Sequence, residues 1–282
     1  MTILPRKFRR ALRPLKSGFK NLLDAQAMRR LPLHQCQTEA LRALSQDDLK
    51  SLFDGSETHD DWHIDECRLR EVNPPDYSDG VNPGDQRALH YLVRKLKASR
   101  ILEVGTHIGS STLSLALAAA RSHSEDTPAR IVTVDIRDVN DETTEPWRQF
   151  GSDASPRQKL SALGLDHLVE FRTGDSLQIL SGLHKEFDMI FLDGNHRAPA
   201  VYREIPLALK CLVPGGSIVM HDYFPDGKPL WQESPAILGP WQAVKRLLDE
   251  GADMRVIPLG ELPWETKWQS HTTSLAILSR PA

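Results

Sequence analysis

The sequence predicts an α/β protein built on a doubly wound, mostly parallel β-sheet. From residue 100 onward, short apolar runs typical of buried strands alternate with segments of helical spacing. Strands that are separated by helices pair in parallel through right-handed crossovers. The last two strand-like runs have no clear helical segment between them. We therefore expect them to form an antiparallel hairpin at one edge of the sheet.

Seven strands are predicted, and most of them are short runs rich in β-branched or other apolar residues. Their ranges are 100–105, 131–136, 168–175, 187–194, 217–223, 254–260 and 274–279. The connecting helices are predicted at 111–121, 155–165, 176–183, 200–212 and 240–250. The first of these is rich in alanine and leucine, which favour helices, and the turn VPGG at 213–216 closes the fourth.

Before residue 100 the pattern is helical and less regular. Helices are predicted at 38–53 and 84–99, and a polar stretch rich in proline and aspartate joins them. Within that stretch, HDDWHIDE at 59–66 contains metal-binding residue types without a recognisable ligand spacing, so we interpret it as a solvated acidic loop. The chain is accordingly divided into a helical N-terminal extension (1–80) and a main domain (81–282).

Composition indicates a globular protein of the cytoplasm. The chain has 282 residues, of which 40% are hydrophobic and 26% are charged, which is typical of a soluble domain with ample core. No apolar run approaches the roughly 18 residues of a membrane helix. The three cysteines are scattered and form no CxxC pair, which favours a reducing compartment over a disulfide framework.

The N-terminus is strongly basic although the whole chain has a net charge of −3. Residues 1–33 contain nine lysines and arginines, interleaved with apolar residues, and a single acid. Such a segment can contact a membrane surface, RNA or an acidic partner. The favoured alternatives are a partly disordered tail, or a helix that docks on the acidic body of the protein or on a second subunit of a homo-oligomer.

Glycines follow the first strand of the predicted sheet. In EVGTHIGSS (103–111), Gly105 and Gly109 permit a tight turn and a close approach to a ligand, and the helix that follows presents backbone N–H groups to an anion. In sheets of this class, ligands bind beyond the carboxyl ends of the strands. The segment lacks the GxGxxG spacing of dinucleotide-binding proteins, and a simple turn is the alternative.

Acidic and hydroxyl side chains end the next two strands. Asp135 ends the second strand and can accept hydrogen bonds from both ribose hydroxyls of a nucleoside. Asp175 and Ser176 end the third strand, where such a polar pair could bind the amino group of an adenine. Each of these residues could instead be a helix N-cap. Their occurrence at consecutive strand ends favours a nucleoside pocket.

The segment 100–279 resembles a class I S-adenosylmethionine-dependent methyltransferase. The stretch ILEVGTHIGSSTLSLA is similar to the first motif of the catechol O-methyltransferase-like branch, which includes the macrocin-type sugar O-methyltransferases. The resemblance implies a Rossmann-like, seven-stranded sheet and S-adenosylmethionine as cofactor. It also implies that Glu103, Gly105 and Ser111 surround the methionine part, that Asp135 holds the ribose, and that Asp175 and Ser176 flank the adenine.

The fourth strand ends on Asp193 in MIFLDGNHR. Burial of an unpaired carboxylate is unfavourable, so we expect Asp193 to be paired, to bind a metal or to take part in catalysis. In metal-dependent relatives, acids that end the fourth and fifth strands coordinate a divalent cation, which by resemblance assigns Asp193, His221 and Asp222 as ligands. The ion would be Mg²⁺, Mn²⁺ or iron, since imidazole favours borderline metals. His196 stands where catechol-type relatives carry the base. The alternatives are a hydrogen-bonded His221–Asp222 pair and a solvent-facing His196.

The predicted function is metal-assisted O-methylation of a small-molecule or sugar hydroxyl. A two-histidine, one-carboxylate iron site for oxidation is the runner-up on the same fold. A different class is an inactive cofactor-binding protein that docks through its basic N-terminus. Four tryptophans near the fifth and sixth strands are candidates for stacking on the acceptor or, equally, for the core; they are Trp231, Trp241, Trp264 and Trp268.

Overall fold

The computed structural model describes residues 23–54, 56–73, 80–122, 129–232, 235–267 and 269–281. Most of the basic N-terminal segment, residues 1–22, lies outside the described residues, and so does Trp268. Within the described part of the chain, we find no helix with the length and apolar character that a membrane span requires.

Seven strands and nine α-helices are found among the described residues. The strands are β1 Arg100–Val104, β2 Arg130–Asp135, β3 Val169–Thr173, β4 Phe187–Leu192, β5 Leu212–Met220, β6 Arg255–Pro258 and β7 Ala276–Ser279. The helices are α1 (23–30), α2 Gln46–Leu52, α3 Ser56–Val72, α4 Pro83–Leu96, α5 Ser110–Ser122, α6 Pro156–Ala162, α7 Ser176–Ser181, α8 Ala198–Cys211 and α9 Leu238–Asp249. Short 3₁₀ turns occur at Thr38–Ala40, Pro146–Phe150, Asp166–Leu168 and Pro225–Gly227.

The strands form one sheet with the order β3-β2-β1-β4-β5-β7-β6. Strands β1 to β5 pair in parallel, whereas β7 pairs antiparallel with both β5 and β6. The predicted doubly wound sheet with an antiparallel C-terminal hairpin is confirmed. The strand order reverses between β1 and β4, which is where a crevice opens in folds of this type.

Burial explains why the central strands appear as continuous apolar runs. In β1, every residue after Arg100 is buried, and β4 is buried throughout apart from Asp188, which is half-buried. Two core clusters cover the two faces of the sheet, one containing α4 and α5 and the other containing α8 and α9. The helices therefore form one layer on each side of the sheet.

The predicted helix at 38–53 is shorter in the structure. Leu41 and Ala43 instead form extended bridges to Gly216 and Arg280, so the chain adds to the base of the sheet. Helix α2 begins only after Ser45, whose side chain forms a reciprocal capping box with Asp48. The capping signal in the sequence thus marks the true helix start.

The predicted acidic loop at 59–66 is wrong, because these residues lie in the middle of α3. Asp65 is fully buried and accepts hydrogen bonds from Arg121 Nε at 2.5 Å and from His90 Nε2 at 3.0 Å. Burial alone would raise the pKa of Asp65, but His90 and Arg121 hold the pKa below its ordinary value. The acidic residues of α3 thus bind the helix to α4 and α5.

We predict that Asp65→Ala lowers the free energy of unfolding by about 3 kcal/mol, because Arg121 and buried His90 lose their common partner. Chemical denaturation measures this loss. The matched control is Glu66→Ala on the same helix, which removes partly exposed contacts with Arg70 and His63 and should cost less than about 1 kcal/mol. Equal losses in the two variants would contradict a structural role specific to Asp65.

Candidate active site

A cavity of about 920 Å³ opens at the carboxyl ends of the parallel strands. Its wall includes the residues that follow four of these strands, namely Gly105, Asp135, Asp193 and Asp222. The cavity therefore lies where ligands bind in doubly wound sheets. Its volume is sufficient for a nucleoside-sized cofactor together with a small acceptor.

Asp135 is held in place by the backbone at one end of the cavity. Its carboxylate accepts hydrogen bonds from the N–H groups of His107 at 2.9 Å and of Arg137 at 3.0 Å. His107 has a positive φ of 52° and packs on Phe150, with 4.2 Å between the ring centroids and an angle of 52° between the rings. Each oxygen of Asp135 keeps a second lone pair that can accept from a ligand hydroxyl.

The other predicted nucleoside residues line the same part of the cavity. Asp175 caps α7 by accepting from the backbone N–H of Leu177 at 2.8 Å. Ser176 donates to Glu204 at 2.5 Å. Asp175 therefore has the helix-capping role that was considered as an alternative, and it also faces the cavity. Ser111 borders the cavity near the start of α5.

Glu103 was predicted to contact the cofactor, but it lies beneath the cavity. It is fully buried and is not part of the cavity wall. Three hydroxyls donate to its carboxylate, from Ser111 and Thr112 at 2.5 Å each and from Thr133 at 2.6 Å. Burial raises the pKa of Glu103 to about 7 against the effect of these hydrogen bonds. Glu103 thus links β1 to the first turn of α5 and to β2.

The two glycines of this loop have different roles. Gly109, with φ +81°, does not line the cavity and packs its open face on Pro156, where a Cβ would lie 2.9 Å from the Pro156 Cβ. Gly105 lines the cavity, and a Cβ there would lie 2.3 Å from the backbone oxygen of Asp193. Gly105 is thus required for the close approach of the β1 and β4 ends.

A group of three side chains from two strand ends forms the centre of the cavity. Asp193, His196 and Asp222 each offer one potential ligand atom, and these atoms lie within 4.8 Å of one another. His196 is one-third exposed, with Nδ1 3.4 Å from Asp222 Oδ2 and Nε2 3.9 Å from Asp193 Oδ1. Asp222 has a φ of +53°, a strained conformation that is common at functional sites.

His221, predicted as a metal ligand, borders the cavity between this group and Asp85. Its Nδ1 lies 3.1 Å from Asp193 Oδ1 and 3.6 Å from Asp222 Oδ1, and its Nε2 lies 3.1 Å from Asp85 Oδ2. Burial alone would lower the pKa of His221, but the charges of Asp193 and Asp222 and its hydrogen bonds to Asp193 and Asp85 hold the pKa well above its ordinary value. Both ring nitrogens thus have carboxylate partners in this arrangement.

Asp85 is a site-supporting residue that the sequence analysis missed. It is fully buried at the start of α4 and also accepts from Thr273 Oγ1 at 2.5 Å and Asn82 Nδ2 at 2.6 Å. An acid in the first turn of a helix normally requires no partner beyond the helix itself. The sequence therefore gave no signal that Asp85 would reach His221.

None of the three described tryptophans that were candidates for stacking lines the cavity. Trp231 packs edge-on against Phe224, and Trp264 packs against Tyr91 and donates to the backbone oxygen of Gly84 at 2.9 Å. Trp241 is partly buried against the core cluster of α8 and α9. The structure therefore supports packing in the core, rather than stacking on the acceptor, for these three tryptophans.

Comparison with known proteins agrees with this geometry. Residues 102–223 match the family model described as a methyltransferase domain. The chain is 30% identical over 177 residues to the catechol O-methyltransferase of Niastella koreensis, covering 61% of this chain and 70% of that protein. It is also 28% identical over 136 residues to caffeoyl-CoA O-methyltransferase 2 of Zea mays, covering 46% and 44% of the two chains.

Solved structures show the same fold. The O-methyltransferase TomG from Streptomyces achromogenes, in complex with S-adenosylmethionine, matches with a TM-score of 0.51 and 24% identity over 88% of this chain and 100% of that chain. An O-methyltransferase from Bacillus cereus in complex with S-adenosylhomocysteine matches with a TM-score of 0.51 and 21% identity, covering 86% and 99%.

The sheet topology and the cavity at its switch point define a class I methyltransferase. Together with the catechol O-methyltransferase relative, they establish that the chain belongs to the class I S-adenosylmethionine-dependent O-methyltransferases. It is an enzyme that transfers the methyl group of S-adenosylmethionine to an oxygen atom.

We predict that Asp135→Ala weakens S-adenosylmethionine binding by about 1–3 kcal/mol, because hydrogen bonds from the cofactor to a charged carboxylate are lost. Isothermal titration calorimetry measures the change. Asp138→Ala is the matched control, since Asp138 caps a neighbouring exposed turn and does not line the cavity. An unchanged affinity in Asp135→Ala would remove this residue from the cofactor site.

Proposed function

We propose that this O-methyltransferase acts on a hydroxyl of a small catechol-type molecule, beside a divalent cation held by Asp193 and Asp222, with His196 as the general base. The grouping of these three side chains within 4.8 Å carries the proposal. The relationship to a catechol O-methyltransferase, of which the chain covers 70%, supports the choice of acceptor.

The donor chemistry of the group fits a divalent cation. Carboxylate oxygens suit hard ions such as Mg²⁺ and Mn²⁺. Asp193 and Asp222 are largely buried, with side chains 15% and 14% exposed, so a cation would also offset their mutual repulsion. When bound, such an ion supplies positive charge that lowers the pKa of a neighbouring hydroxyl.

His196 is placed to remove the proton of the acceptor hydroxyl. The Asp222 carboxylate beside Nδ1 favours a proton on that nitrogen, which leaves Nε2 as the acceptor. The ring is one-third exposed and borders the cavity, so Nε2 is accessible to a substrate. Positioning of the hydroxyl next to the methyl donor, rather than covalent chemistry by the chain, then supplies the remaining rate enhancement.

The runner-up, oxidation at an iron site, receives less support from this geometry. A two-histidine, one-carboxylate site would need both His196 and His221 to face the same ion. Both ring nitrogens of His221 instead lie 3.1 Å from carboxylate oxygens. The arrangement therefore favours methyl transfer with a carboxylate-based cation site.

We predict that Asp193→Ala and Asp222→Ala lose bound metal and nearly all methyl transfer while they largely retain cofactor binding. His196→Ala should keep the metal and lose roughly 10²–10⁴-fold in rate, the usual contribution of a general base. Metal content by mass spectrometry, cofactor affinity by calorimetry and turnover with a catechol measure these effects. Raising the pH should recover part of the His196→Ala loss, because the acceptor then ionises without help.

The control for these variants is Asp226→Ala, an exposed acid just beyond Asp222 that lies outside the cavity wall. It should retain both metal and turnover. Loss of metal in His196→Ala would make His196 a ligand rather than the base. Full activity of wild-type enzyme after exhaustive chelation would exclude the cation from the reaction.

We also predict that His221→Gln lowers the free energy of unfolding by about 3 kcal/mol, since Asp85 and Asp193 lose the imidazole between them. The double variant Asp85→Asn/His221→Gln should lose less than His221→Gln alone, because it no longer buries an unpaired Asp85 carboxylate. Chemical denaturation of wild type, Asp85→Asn, His221→Gln and the double variant measures the coupling. Normal stability with loss of metal in His221→Gln would instead support His221 as a ligand.

A further inference from the structure

The order of the strands arranges the parts of the cavity in a row. Asp175 and Asp135 follow β3 and β2 at one side of the sheet, and Asp193 and Asp222 follow β4 and β5 next to them. Lys267 also lines the cavity, and it lies in the connection between β6 and β7, at the opposite side of the sheet from β3. Lys267 is thus separated from the nucleoside end by the group of Asp193, His196 and Asp222.

The cavity between that group and Lys267 is the part left for the acceptor. Aliphatic side chains, among them Val81, Leu31 and Ile237, line the cavity beside its polar groups. Helix α1 and the residues after it contribute to the cavity wall, and they are fixed to the main domain because Arg197 donates twice to buried Asp24, at 2.6 and 2.8 Å. The cavity therefore combines apolar surface with a lysine from the connection between β6 and β7.

The positive charge of Lys267 is not neutralised by a described carboxylate. Among the residues that the structure describes, its Nζ has no acidic partner at ion-pair distance and lies 4.7 Å from the centre of the Trp231 ring. Two other cations of the cavity wall have acidic partners, since Arg197 binds Asp24 and Arg137 lies 3.6 Å from Asp135. Arg203 also lines the cavity, but it lies on α8 next to Glu204, the residue that holds Ser176 at the nucleoside end. A half-buried ammonium beside an indole retains most of its charge for a ligand.

The position of Lys267 is well defined by its surroundings. Trp231 is 7% exposed and is held edge-on by Phe224 at 5.8 Å, so the aromatic surface beneath the ammonium cannot shift easily. The turn that carries Lys267 is closed by a backbone hydrogen bond from Thr266 to Ser270 at 2.7 Å and by one from Ser270 to Lys267 at 3.1 Å. A fixed cation at the end of an apolar cavity selects for a ligand of opposite charge.

We propose that Lys267 binds an anionic group of the acceptor, so that the substrate is an acidic phenol whose carboxylate lies at the end opposite to the methylated hydroxyl. The inference rests on the proposed function for the position of the hydroxyl. An ammonium–carboxylate hydrogen bond of this kind should favour an acidic acceptor over its neutral analogue by about 10- to 100-fold in kcat/KM, mainly through KM.

The test compares acids with the matching alcohols. The substrate pairs are 3,4-dihydroxybenzoate with 3,4-dihydroxybenzyl alcohol, and 3,4-dihydroxycinnamate with the corresponding cinnamyl alcohol, which differ in the distance between the catechol and the charge. The variants are Lys267→Met, which keeps the side-chain length without the charge, and Lys267→Arg, which keeps the charge. Lys228→Met is the control, because Lys228 is an exposed lysine outside the cavity wall.

Wild type, Lys267→Arg and Lys228→Met should prefer the acid of at least one pair. Lys267→Met should lose that preference by about 10- to 100-fold. A wild-type enzyme that uses the acid and alcohol of both pairs equally would overturn the inference. A preference that survives in Lys267→Met would overturn it as well, because the charge would then be recognised elsewhere.

Calorimetric binding of the same four compounds, in the presence of S-adenosylhomocysteine, separates this inference from the proposed function. If the acids bind in a Lys267-dependent manner without turnover, the result supports the anion site and contradicts the proposed methylation of catechols. If turnover occurs without any preference for the acids, the result supports the proposed reaction and contradicts the anion site. If neither acid binds more tightly than its alcohol in wild type, the inference is wrong whether or not turnover is seen.

Discussion

The close approach of two backbone segments, at Gly105 and Asp193, is the constraint on which the site depends. These residues follow β1 and β4, the central pair between which the strand order reverses. A Cβ on Gly105 would lie 2.3 Å from the backbone oxygen of Asp193, so any other residue would force the two strand ends apart. The loop after β1 and the acid after β4 are therefore positioned by one contact, and displacement of either would displace the other.

Much of the fold could be predicted because strands that are buried on both faces consist of runs of apolar residues, which are visible in the sequence. Strands such as β1 and β4, covered by helices on both faces, appear as apolar runs, and the charge that ends β4 stands out against them. The strand-end residues Asp135, Asp175 and Asp193 were found from this pattern, and all three border the cavity. Parallel pairing then brings the strand ends to one edge without any knowledge of the side-chain contacts.

The orientation of individual polar side chains could not be predicted in the same way. His221 faces inward because Asp85, 136 residues earlier in the chain, is buried opposite to it. The orientation of Asp65 likewise depends on distant partners. The acidic residues around it suggested a loop, whereas His90 on α4 and Arg121 on α5 bind Asp65 and hold α3 against the domain as a helix. In both cases the sequence shows the charges, whereas the pairing of buried charges depends on residues that are distant in the chain.

The distribution of charge along the cavity bears on how an acceptor would be oriented. Two carboxylates, Asp193 and Asp222, border its centre, and the Lys267 ammonium borders its far end. The proposed cation would offset the charges of the two carboxylates, so the Lys267 ammonium is the group that would draw an anionic end of the acceptor away from the centre. An acceptor held in this orientation would direct its hydroxyl toward His196. A neutral acceptor would not be attracted by Lys267 and would depend on the fit of its apolar body against lining residues such as Val81, Leu31 and Ile237.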